Sequence, residues 1–213
     1  VKTFPKLPHS LYIHWPFCSF KCHYCDFVAF EQHADHQAAY QETLLAEIRA
    51  FAKQHPKTDA AVIKTIFIGG GTPSLYPLPW ITHLFTTLHD SFNLSECTEI
   101  TLESNPADID EEKLDCWESL GINRLSVGVQ SLDDNVLLKL NRRQRATDVE
   151  RVMKIAPKYI SNLSIDLILG LPGVSAEMWQ HTIDRTIQWP IKHISLYFLT
   201  IHEKTPLYFK VEK

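Results

Sequence analysis

The chain has no long apolar run. Nothing in its 213 residues approaches the roughly 18–20 consecutive apolar residues of a membrane span. Residues 1–10 lack the apolar core and small-residue cleavage site of a secretory signal. There is no long basic block, and the formal net charge is −4, which argues against nucleic acid as the main ligand. There is no short-period repeat. The cysteines number five, an odd count with three of them clustered, so a disulfide framework does not fit and a reducing compartment with a metal site does.

What remains is ordinary in bulk: 45% hydrophobic and 22% charged residues, the profile of one soluble domain. Short apolar runs alternate with longer amphipathic stretches. Strands are expected at 11–14, 65–68, 99–103, 124–129, 163–169 and 193–199. Helices are expected at 34–55, where Pro56 would stop the helix, at 79–89 and at 110–120, where Gly121 would cap it. Others should open near Ser131–Asp134, at Thr147-Asp148, and at Ser175, running to about Trp189 before Pro190. Strand and helix alternating six times is the pattern of parallel β/α units. Six such units predict an open, partial (β/α)6 TIM-like barrel, with sites at the carboxyl ends of the strands.

The chemistry begins at Cys18-Ser19-Phe20-Lys21-Cys22-His23-Tyr24-Cys25, spaced C-x3-C-x2-C after the first strand. A structural zinc site closes with four ligands, and an iron–sulfur cluster also usually takes four. Three close thiolates without a fourth leave one iron of a 4Fe-4S cluster open to a ligand. Thiols that merely pack or bind zinc are the bland alternative. Cys97 and Cys116 stand alone and read as buried structural thiols.

Further candidates sit at the expected strand ends. Gly69-Gly70-Gly71-Thr72 follows the second strand, and consecutive glycines let a ligand approach the backbone. No Gly-Lys-Ser/Thr follows, so it is not a phosphate-binding P-loop. Glu103 ends the third strand, placed to accept hydrogen bonds from a hydroxyl or ammonium group. Capping by Asn105 or Asp108 would explain those neighbours but not Glu103. Gln130 ends the fourth strand. Arg142 lies twelve residues on and can pair bidentately with a carboxylate. Asp166 is a lone charge in an apolar strand, costly unless paired or used. Tyr24 can shield a cluster or stack on a ligand. Tyr12 reads equally as a core tyrosine or as one pointing to the same end.

Taken together, YIHWPFCSFKCHYCDF, GGGTPS, LESNP, NRLSVGVQSLDDNVLLKLNR, SIDLILGLPG and ISLYFLT resemble the radical S-adenosylmethionine (SAM) proteins, specifically the oxygen-independent coproporphyrinogen III oxidase-like branch. The resemblance runs from about Leu11 to Leu207. It implies a 4Fe-4S cluster on Cys18, Cys22 and Cys25, and SAM held by Tyr12, Tyr24, Gly70, Gly71, Thr72, Glu103, Gln130, Arg142 and Asp166. Thr72 takes the place of a usual acidic residue. The resemblance also implies that residues 1–213 form one radical SAM core, with the customary C-terminal domain absent or truncated.

Two functions share this core. The oxidases, redox enzymes of porphyrin biosynthesis, carry a fourth cysteine two residues after the third. Here that position is Phe27, as in the HemW-type heme chaperones, which bind heme and pass it to respiratory hemoproteins. Many chaperones carry His-Asn after the first cysteine, where this chain has Ser19 and Phe20. His23 lies close by and could ligate heme iron, although a solvent-facing loop histidine is the plainer reading, and His14 and His202 are weaker candidates. The implied setting is cytoplasmic, or peripheral to a membrane.

Overall fold

The computed structural model describes residues 9–55 and 62–211. Six strands form one sheet: β1 (Ser10–Trp15), β2 (Thr65–Gly70), β3 (Glu99–Ser104), β4 (Arg124–Gln130), β5 (Asn162–Leu169) and β6 (His193–Phe198). They lie in chain order, and every neighbouring pair is parallel. There is no reversal of strand order, so right-handed crossovers place successive helices along one face and the sheet curls. β1 and β6 do not pair with each other, so the curl is open.

The crossovers carry α1 (Gln37–Gln54), α2 (Leu78–Ser91), α3 (Glu111–Ser119), α4 (Asp134–Lys139), α5 (Ala146–Ile155) and α6 (Ala176–Thr186). The core lies between these helices and the sheet: Ile13, Ile66, Ile68, Leu102, Leu125 and Leu163 meet Leu45, Leu84, Phe85, Leu114 and Val152. Caps set the helix starts. Asp110 accepts from Lys113 N at 2.8 Å, Asp133 from Val136 N at 2.8 Å and Ser175 from Met178 N at 3.3 Å. Gly121 takes φ +84° just beyond α3, as a glycine stop should.

Three boundaries differ from expectation. The first helix opens as a 3-10 turn, Ala34–His36, before α1, and Pro56 lies outside the described residues. α6 ends at Thr186, short of Trp189, whose indole instead packs into the core. A further short helix, α7 (Pro206–Val211), follows β6 where no element is expected, and Glu212 and Lys213 lie outside the described residues. Leu207 is buried, and its N–H donates to His23 O at 2.9 Å, which ties α7 to the cysteine loop. No helix among the described residues is long and apolar enough to cross a membrane.

Candidate functional site

All three clustered cysteines lie in the loop leaving β1. A two-residue parallel ladder closes its base, pairing Phe17 with Phe30 and Cys18 with Glu31. Inside the loop Cys25 N donates to Cys22 O at 3.1 Å. The loop is pinned from the distant α4–α5 connection: His23 N donates to Leu140 O at 3.0 Å, and Asn141 Nδ2 to Lys21 O at 2.9 Å. Asn141 holds φ +60° there, a left-handed conformation that asparagine tolerates better than most residues.

The glycine loop after β2 is laced to the same segment. Gly71 N donates to Trp15 O at 2.8 Å and Thr72 N to Phe17 O at 3.0 Å. A Cβ on Gly71 would stand 2.9 Å from Phe17 O and 3.0 Å from Cys18 Sγ. Gly70 takes φ +123°, and a Cβ there would meet the His14 ring at 2.8 Å. Only glycine fits at either position. Thr72 Oγ1 donates to Cys18 Sγ at 3.3 Å.

Arg142 gathers the other side. It is only 8% exposed. Its guanidinium donates to Cys22 Sγ at 3.7 Å, Tyr24 Oη at 3.4 Å, Asn105 Oδ1 at 3.0 Å, Gly128 O at 2.6 Å and Gln144 Oε1. The side chain of Asn105 therefore serves Arg142 and caps no helix, and Asp108 accepts from Ser74 Oγ at 2.9 Å.

A cavity of about 350 Å³ opens at the carboxyl ends of the strands. Tyr24, Cys25, Gly70, Gly71, Thr72, Glu103, Gln130, Arg142 and Asp166 all line it. Gln130 reaches it through a register irregularity between β4 and β5, at φ +65°. Such strain in a non-glycine residue is characteristic of functional positions. Gly70 N donates to Glu103 Oε2 at 3.1 Å. Burial pushes the Glu103 carboxyl up to about 7, opposed by the Gly70 amide and reinforced by Asp166. Burial also raises Asp166, opposed by the Ser195 and Ser126 hydroxyls. Ser126 Oγ stands 3.2 and 3.3 Å from the two carboxylate oxygens of Asp166.

Tyr12 does not join this lining. It is 61% exposed, with its ring stacked on Phe67 and its hydroxyl 3.0 Å from His14 Nδ1, so it is not a core tyrosine either. Cys97 and Cys116 are half-buried rather than buried. The lining includes Ser126 and the β6 end, Tyr197-Phe198-Leu199, and the buried Gln144 braces Arg142 behind it; sequence reasoning passed over their role. A polar Ser126 inside the apolar β4 run was the available signal.

Three clustered cysteine thiols are a donor set that a 4Fe-4S cluster with one open iron would take. Among the described residues no three His, Cys, Asp or Glu side chains converge on one ion site. In a 4Fe-4S cluster each thiolate binds a different iron, so the sulfurs stand wider apart than around one zinc. All three thiols are free, and the glycine at 71 leaves open backbone directly against Cys18 Sγ.

Residues 12–186 match the Radical SAM superfamily, and the chain belongs to that superfamily. Membership implies a 4Fe-4S cluster and SAM. The chain is similar to the heme chaperone HemW of Bacillus subtilis (strain 168), 36% identical over 210 residues, covering 96% of this chain and 54% of that one. HemW of Lactococcus lactis is 32% identical over 199 residues, covering 93% and 51%. Among solved structures, the Escherichia coli coproporphyrinogen III oxidase HemN superposes with a TM-score of 0.82 at 25% identity, covering 98% of this chain and 52% of that one. The chain thus spans about half the length of the relatives it matches.

Proposed function

We propose that this chain is the cluster- and SAM-binding core of a heme chaperone, a protein that binds heme and hands it to hemoproteins. The observation that carries the reading is Phe27. It occupies the position of the oxidases' fourth cysteine and stands 64% exposed at the rim of the cavity. Similarity to proteins named heme chaperones, over nearly the whole chain, supports it.

In this reading Cys18, Cys22 and Cys25 hold a 4Fe-4S cluster that leaves one iron free for SAM. When bound, the cluster supplies one electron for reductive cleavage of SAM. Gly70, Gly71 and Thr72 offer backbone and hydroxyl groups to the SAM methionine end. Glu103 and Asp166 receive its ammonium and ribose hydroxyls. Arg142 holds Tyr24 and Cys22 in place and offers positive charge, and Gln130 closes the fourth strand's side. Tyr12, whose ring lies near Glu103, flanks the same end of the site. The heme acceptors are respiratory hemoproteins, and the setting is the cytoplasm, with a peripheral approach to the membrane. The HemN likeness favours a second reading, the porphyrinogen oxidase.

Anaerobic reconstitution with iron and sulfide, followed by heme titration and a coproporphyrinogen III turnover assay, separates the two. A stable heme spectrum without decarboxylation is expected. Decarboxylated product would make the chain an oxidase despite Phe27.

A further inference from the structure

His202 lies just beyond β6 and lines the cavity on the side facing the cysteine loop. Its Nδ1 stands 3.2 Å from Asp26 Oδ2, and Asp26 directly follows Cys25. A carboxylate accepts only from an N–H, so Nδ1 carries the proton and neutral His202 keeps its lone pair on Nε2. A carboxylate fixing one ring nitrogen while the other stays free is the support that metal-binding histidines require. The side chain is 44% exposed.

The surroundings match a large, flat, apolar ligand. Phe27, Tyr197 and Phe198 line the same opening, with Phe198 76% exposed, and Ile201 beside His202 is also exposed. Exposed aromatic groups clustered at a cavity rim form an apolar surface of the kind found at ligand grooves and at protein or membrane contacts. Lys21 Nζ donates to Phe27 O at 3.1 Å, which sets a cation beside this patch, suited to a carboxylate at the ligand's edge.

Of the other imidazoles near the loop, His14 is engaged at both ring nitrogens and His23 at Nδ1 beside an ammonium group. His14 contacts Tyr12 Oη through Nδ1 and Val28 O through Nε2, at 3.0 and 2.9 Å. His23 Nδ1 lies 2.8 Å from Lys139 O and 3.0 Å from Lys210 Nζ, a cation that disfavours a bound metal ion.

Resting on the heme-chaperone reading above, we infer that His202 is the axial ligand of heme iron, with Asp26 as its positioning residue and Phe27 and Phe198 as the apolar wall under the macrocycle. Heme then sits at the rim of the cavity and leaves the interior to SAM. His202 follows the sixth strand and reaches the cavity beside Asp26 of the cysteine loop.

The test is hemin titration of the anaerobically reconstituted protein with saturating SAM, read by optical and low-spin EPR spectra. H202A should weaken hemin affinity at least tenfold and abolish the imidazole-ligand signature, and added imidazole should restore that signature. D26N should leave hemin bound with an altered ligand spectrum. F27A should weaken affinity without changing the ligand type. H181A, an exposed histidine on α6, should behave as wild type. If the wild type binds hemin and H202A matches it in affinity and spectrum, the ligand assignment falls and the chaperone reading stands. If the wild type binds no hemin, both fall.

Discussion

Arg142 Nη1 and Cys22 Sγ stand 3.7 Å apart, although 120 residues of chain separate them. The guanidinium that touches a cysteine of the loop also touches the backbone of β4 and the side chain after β3. It joins two strands to the cysteine loop. R142A leaves several buried acceptors without a partner, each worth about 1–3 kcal/mol. The expected result is a loss of at least about 2 kcal/mol in urea unfolding and poor iron retention. R142K keeps the charge but not the planar fork, and should recover only part of either.

Glu103 makes stability depend on pH. Its carboxyl is raised from 4.5 to about 7 in the folded chain, so its contribution is fully present below pH 4.5. That contribution is lost as pH rises through about 7. Asp166 is shifted in the same direction. Between pH 5 and 8 the cluster-free protein should lose stability that E103Q keeps, by at most about 3 kcal/mol. Parallel pH profiles of the two proteins would remove Glu103 as the titrating group.

A positively charged ligand beside Glu103 should drive its proton off. SAM binding near pH 7 is therefore expected to release up to about half a proton, read by calorimetry in buffers of different protonation enthalpy. E103Q should abolish the release, and D166N should weaken SAM binding with iron and sulfide content unchanged. Release that persists in E103Q would place the proton elsewhere.

Cys18→Ala, Cys22→Ala or Cys25→Ala should each abolish the brown colour of the reconstituted protein. Cys97, whose thiol lies 3.7 Å from Glu99 O, and Cys116 should tolerate alanine with full iron and sulfide. Iron loss in either would expose a fourth ligand.

Gly71→Ala tests the contact between the two loops. Its methyl would press on backbone, which cannot swing aside as a side chain can. Poor iron incorporation is expected in a protein whose far-ultraviolet circular dichroism is unchanged. Normal incorporation would show that the loop yields.

Strand positions could be read from the sequence because each strand is a short apolar run between helices of different period. β4 and β5 were legible to within a residue or so. Glu103 and Asp166 stood out because a charge in such a run has few structural uses. Tyr12 was named from the resemblance rather than from its own pattern, because alternation on a strand says which face a side chain takes, not how far it reaches toward a cavity. The bracing of Arg142 by Gln144 was hidden because it depends on how a loop folds back, which no period encodes. α7 was missed because its six residues carry too little pattern, and its place is set by burial of Leu207.

Among the described residues the first and last strands of the sheet do not pair with each other, which has one more consequence. In a fully closed wall, strand number and stagger fix the diameter of the lumen. Here neither constraint applies between Ser10–Trp15 and His193–Phe198, so a small change of twist widens or narrows the interior without breaking a ladder bond.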